Sequence, residues 1–103
     1  MENFWKSISS EEAKKLIAQK SHDADFCILD VRTEEEFLSG KIEGAINLDF
    51  YAPGFLEELG KLDKNKTYLI YCRSGSRSKA VLSMTKQLDF KYVYELDGGY
   101  ISL

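Results

Sequence analysis

Residues 67–88 read TYLIYCRSGSRSKAVLSMTKQL, and this stretch decides the fold. Tyr68 to Tyr71 make a short apolar run of strand length, and Cys72 opens a loop directly after it. Beyond the loop, Ala80, Val81, Met84 and Leu88 recur at the three- and four-residue spacing of one buried helical face. Gly75 and the serines of CRSGSRS are small enough for backbone N–H groups to turn inward around the sulfur. Such a nest, followed by a helix N-terminus, favours an anion. A cysteine held over it is expected to be a thiolate, and hence a nucleophile.

The magnitudes allow this. Lowering a thiol by two units from about 8.5 takes roughly 2.7 kcal/mol of preference for the charged form. A helix terminus supplies up to ~2 kcal/mol in a partly buried geometry. Loop amides and the cations Arg73 and Arg77 are expected to supply the rest. The opposing reading makes Cys72 a small apolar residue closing a strand, as free cysteines often are. The glycine, serines and arginines around it favour the anion site.

Charge around the helix starts points the same way. Ser9-x-x-Glu12 and Thr33-x-x-Glu36 are capping-box patterns with acids in the first turn, as the helix dipole prefers. The helix after Cys72 instead carries Arg77, Ser78 and Lys79 there. Each cation costs about 0.3–1 kcal/mol at that end, which predicts an anion arriving from outside.

Outward from this unit, residues 4–8 suit an edge strand anchored by Phe4 and Trp5. Ser9 caps a helix running to Lys20, with Ala13, Leu16 and Ile17 inward. His22, the single histidine, falls in the loop SHDAD and reads as solvated. The run FCILDV (26–31) reads as a strand covered on both faces. Asp30 and Arg32 stand at its C-terminal end, where open α/β sheets place ligands. A structural ion pair is the expectation for them. Thr33 starts a short helix stopped by Gly40, with Glu34, Glu35 and Glu36 as a solvated face. Then come a third strand in AINLD, a brief helix over 55–59 ended by Gly60, a turn LDKNK, a fifth strand KYVYEL, the turn Asp97-Gly98-Gly99 and a last helical turn. Five strands alternating with helices predict an α/β domain: an open, five-stranded, mainly parallel sheet flanked by helices on both faces.

The whole chain bounds the function. Its 103 residues predict a single domain, 1–103, burying about 60–70% of its unfolded surface. A net charge of −3 gives no electrostatic case for nucleic acid or an anionic membrane. No apolar run reaches spanning length, and MENFWKSISS lacks a signal-peptide pattern, so a cytoplasmic location is expected. Two cysteines and one histidine predict neither a disulfide scaffold nor a metal site. Cys27 starts its strand while Cys72 follows the end of its own. In a parallel pair in register that separates the thiols by about 13 Å, too far for a disulfide. Cys72 therefore has no internal resolving partner.

LDVRTEEEF, GKIEGAINL, YCRSGSRS and ELDGGY, in this order, resemble the single-domain rhodaneses, over about residues 8–100. The most specific part, Cys72 to Ser78, looks like the sulfurtransferase active-site loop. The resemblance implies a five-stranded parallel sheet and a thiosulfate sulfurtransferase type of activity, with no cofactor. Cys72 would take sulfane sulfur from a small anionic donor such as thiosulfate. It would become a persulfide and pass the sulfur to cyanide, a thiol or a redox protein. Arg73, Ser74, Gly75, Ser76, Arg77 and Ser78 would bind the anion, with Asp30 and Arg32 in support. A second reading is a carrier module, charged by a protein such as a cysteine desulfurase and discharged to a dedicated partner. The related thiol phosphatases and arsenate reductases have one residue more in the loop than the six of 72–77, so a phosphoryl group is disfavoured. Lys41 stands where the family usually has histidine, and relatives often continue past the position of Leu103.

Overall fold

The structure, a computed structural model, describes residues 2–103. Five strands occur, β1 Phe4–Ile8, β2 Phe26–Asp30, β3 Ile46–Asn47, β4 Thr67–Tyr71 and β5 Tyr92–Leu96. They form one sheet of order β1-β5-β4-β2-β3, and every neighbouring pair is parallel. Helices alternate with them: α1 Ser10–Lys20, α2 Glu34–Ser39, α3 Phe55–Gly60 and α4 Ser76–Gln87, followed by a 3₁₀ turn at Tyr100–Ser102. The predicted class holds, with the sheet wholly parallel.

Side-chain alternation on β4 divides the core. Tyr68, Ile70 and Cys72 face one side, where Leu59 of α3 and Val81 of α4 cover them. Leu69 and Tyr71 face the other, against Ala13 and Leu16 of α1 and the half-buried Phe37 of α2. A central strand buried on both faces is what a continuous apolar run encodes. β1 is an edge strand, as expected, yet it lies beside β5, the last strand in the chain. The Trp5 indole N–H donates to Phe90 O at 2.8 Å and fixes it there.

Both predicted capping boxes form, with Ser9 Oγ accepting from Glu12 N and Thr33 Oγ1 from Glu36 N. The expected third strand forms but is short, and of the expected α4 face Val81, Met84 and Leu88 pack on the core while Ala80 does not. AINLD keeps only two ladder residues at the sheet edge, with Ile46 half exposed. On α4 the buried positions are Ser78, Val81 and Thr85, while Ala80 is exposed. Ser78 turns inward to the site, and this rotates the helix so that Ala80 points away from the sheet. Among the described residues no helix is long and apolar enough to cross a membrane.

Candidate active site

All five strands point the same way, so their C-terminal ends share one rim of the sheet. Cys72 follows β4 there and is fully buried. The loop closes on its sulfur. Gly75 N donates to Sγ at 3.1 Å, Ser78 N lies 3.4 Å from it, and Sγ is 3.5 Å from Ser78 Oγ. Gly75 has φ of 112° and caps α4 in place of a polar side chain, leaving the first-turn amides free for sulfur. Burial by itself pushes the Cys72 thiol up. Hydrogen bonds from Ser78, Gly75 and Ser74 outweigh it and hold the thiol below its ordinary value. Cys27, without such donors, is pushed up by its burial. Its register partner is Tyr68, four residues before Cys72, and both thiols are free.

The chain after β5 braces the loop from behind. Tyr100 N donates to Cys72 O at 2.8 Å and Ile101 N to Arg73 O at 3.1 Å. Gly99 presses directly on this backbone. A Cβ there would collide with Arg73 O and stand 2.6 Å from Ser74 N, and its φ is 67°. The turn reading of Asp97-Gly98-Gly99 therefore misses the main reason for its last glycine.

Asp30 and Arg32 form a buried ion pair at the end of β2. Arg32 Nε donates to Asp30 Oδ2 at 3.0 Å and Nη2 to the same oxygen at 2.7 Å, while Nη2 also donates to Gly40 O. The guanidinium carbon lies 4.3 Å from the centre of the Tyr100 ring. The pair thus holds the residue whose amide holds Cys72 O.

The cations at the start of α4 both have carboxylate partners: Arg77 pairs inward, the alternative to drawing in an anion, and Lys79 also finds acids. Arg77 donates to Glu36 of α2 through both Nη atoms, at 2.8 and 3.2 Å. This pairing, opposed by burial and helped by Thr33, lowers the Glu36 carboxyl from 4.5 to about 2. Lys79 Nζ lies 2.7 Å from Asp97 Oδ1 and 3.4 Å from Glu95 Oε1. Carboxylates from neighbouring elements, not an external anion, offset these two charges. Glu34 and Glu35 are exposed as expected, but Glu36 is not part of that solvated face. Arg73 is exposed beside the loop, as are Ser74 and Ser76.

Glu95 is the other residue left unremarked in the sequence. It is fully buried on β5, with Oε2 2.5 Å from Ser78 Oγ and Oε1 2.5 Å from Ser7 Oγ. An available signal was its parity. Glu95 alternates with Val93, so it points to the same covered face. Among the described residues, no group of three or more His, Cys, Asp or Glu is placed to hold a metal ion.

The chain belongs to the rhodanese-like domain family, which matches residues 9–102. It is 34% identical over 98 residues to the thiosulfate sulfurtransferase GlpE of Coxiella burnetii, covering 94% of this chain and 85% of that one. It is 35% identical over 97 residues to rhodanese-like domain-containing protein 17 of Arabidopsis thaliana, covering 82% of this chain. A tRNA uridine(34) hydroxylase of Corynebacterium diphtheriae is 33% identical over 99 residues, covering 91% of this chain. The chain spans only 62% and 31% of the lengths of the latter two. A rhodanese-like domain protein from Staphylococcus aureus, solved by crystallography, superposes with a TM-score of 0.79 at 29% identity. That likeness covers 94% of this chain and 89% of the other.

Proposed function

We propose that the protein is a sulfurtransferase that moves sulfane sulfur from an anionic donor such as thiosulfate to a thiophilic acceptor through a persulfide on Cys72. The observation that carries this reading is the closure of the CRSGSRS loop on Sγ, with Gly75 N at 3.1 Å and Ser78 N at 3.4 Å. The Cys72 thiolate attacks the outer sulfur of thiosulfate, the sulfur–sulfur bond of the donor breaks, and sulfite leaves with the bonding pair. Negative charge then resides on the outer sulfur of the persulfide, where the loop amides stabilise it. Cyanide or a thiolate attacks that sulfur and releases the Cys72 thiolate. Exposed Arg73 attracts the anion, while Arg77, tied to Glu36, holds the loop.

The test is the intact mass of the reduced protein after thiosulfate, with Cys72→Ser in parallel. The expected result is one added sulfur atom that cyanide removes and that the variant never gains. Uptake by Cys72→Ser equal to wild type ends the proposal.

Complete burial of Cys72 favours a second reading, a carrier domain whose loop opens only against a protein donor such as a cysteine desulfurase. Sulfur uptake from the desulfurase alone, and none from thiosulfate, selects it.

A further inference from the structure

Behind the sulfur lies a line of three side chains that loop chemistry alone does not require. Cys72 Sγ stands 3.5 Å from Ser78 Oγ, with the thiol as donor, and Ser78 Oγ stands 2.5 Å from Glu95 Oε2. The second distance is in the range of a hydroxyl donating to an ionised oxygen. The two carboxylate oxygens differ. Oε1 receives Ser7 Oγ from β1 at 2.5 Å and faces Lys79 Nζ of α4 at 3.4 Å. Oε2 has only Ser78.

Hydrogen counting exposes a constraint. Ser78 has one hydroxyl proton and three neighbours able to accept it: Glu95 Oε2, Gly75 O at 3.1 Å, and Sγ when ionised. A thiolate and a carboxylate on either side of this hydroxyl cannot both receive its proton.

We propose that Glu95 is the internal proton acceptor for Cys72, acting through the Ser78 hydroxyl, so that one negative charge is shared between the two. In the transfer the Sγ–H bond breaks as a new bond forms from that proton to Ser78 Oγ. The former Ser78 Oγ–H bond breaks as its proton binds Glu95 Oε2. The thiolate then accepts from Ser78, and Ser78 accepts from the Glu95 carboxyl. No proton leaves the protein, and nothing is oxidised or reduced. The other charged groups facing the line are Lys79, itself held by Asp97 at 2.7 Å, on the Glu95 side, and Arg77 on the Cys72 side. Glu95 is a positioning residue here, since it reaches the sulfur only through Ser78. The inference deepens the proposed sulfurtransfer and rests on Cys72 acting as a thiolate.

Its signature is a coupled titration, whose two steps belong to the pair. The measurement is the ultraviolet thiolate absorbance against pH, taken as the difference from Cys72→Ser, so that Cys27 and the tyrosines cancel. Wild type is expected to rise in two steps separated by a plateau, and Glu95→Gln in one. One step in wild type, or two in Glu95→Gln, overturns the proposal. If Glu95→Gln does not fold, infrared spectra of wild type and Cys72→Ser at the plateau pH decide. A protonated-carboxyl band present in wild type and lost in Cys72→Ser supports the shared proton, and identical bands overturn it. Failure of thiosulfate to load Cys72 would count against the sulfurtransfer reading alone, because neither titration involves sulfur uptake.

Discussion

Arg77 and Glu36, 41 residues apart, meet in a two-pronged ion pair that ties the first turn of α4 to α2. Glu36 is also the third residue of its own helix and bonds Thr33 N at 3.0 Å, so one carboxylate serves both a cap and a long-range tie. Its carboxyl is lowered from 4.5 to about 2. A depressed carboxyl adds stability that is fully present above its unfolded value and is lost as pH falls through the folded one. Glu36→Gln is therefore expected to cost about 1 kcal/mol at neutral pH, shrinking as pH falls from 4.5 toward about 2. Urea denaturation of both proteins along that range checks it. An equal difference at every pH refutes it.

The two loop arginines should separate by phenotype. Arg73→Ala removes an exposed cation with no resolved partner in the fold. It is expected to raise the KM for thiosulfate about three- to tenfold, with the gap narrowing in high salt, and to leave thermal stability unchanged. Arg77→Ala leaves Glu36 without its partner and should lower stability as well. Steady-state kinetics at two salt concentrations, alongside a melting curve, distinguishes them.

Gly99→Ala should be the harshest glycine substitution. It combines a positive φ with a collision against the Arg73–Ser74 backbone. The expected cost is about 2–6 kcal/mol, the sum of backbone strain and overpacking, and protein that still folds should load sulfur poorly. Gly54→Ala, at φ of 79° with open space around it, is the control and should cost about 1–2 kcal/mol from backbone strain alone. Equal melting temperatures for the two variants would contradict this account.

Breaking the Asp30–Arg32 pair leaves one buried charge alone. Asp30→Asn is expected to lose about 3–5 kcal/mol by chemical denaturation. Replacing both residues with apolar side chains of similar volume should recover part of that loss. A single variant as stable as wild type would show that the pair holds nothing in place.

What was legible in the sequence is local. The apolar run 68–71, the small residues after it and the two capping boxes each announce themselves within a few neighbours. Strand ends also carry Asp30 and Cys72 to a common rim once the sheet is known to be parallel. What was not legible joins distant elements. Nothing near Arg77 indicates Glu36, and nothing near Ser78 indicates Glu95, 17 residues on. Glu36 looked ordinary within its acidic run, and for Glu95 only its parity with Val93 marked it as inward-facing, without naming Ser78 as its partner. The place of β1 beside β5 depends on a crossover that no local pattern encodes. The rotation of α4 that exposes Ala80 follows from Ser78 facing the sulfur, a tertiary demand that overrides the apolar spacing.

Cys27 sits four register positions from Cys72 along the same sheet, and the consequence reaches beyond sulfur transfer. Were a peroxide to oxidise Cys72 to a sulfenic acid, no neighbouring thiol would be there to condense with it. A small thiol from solution restores the residue, or a second oxidation to the sulfinic acid ends its working life. The survival of this site under oxidants is therefore decided by what surrounds the protein.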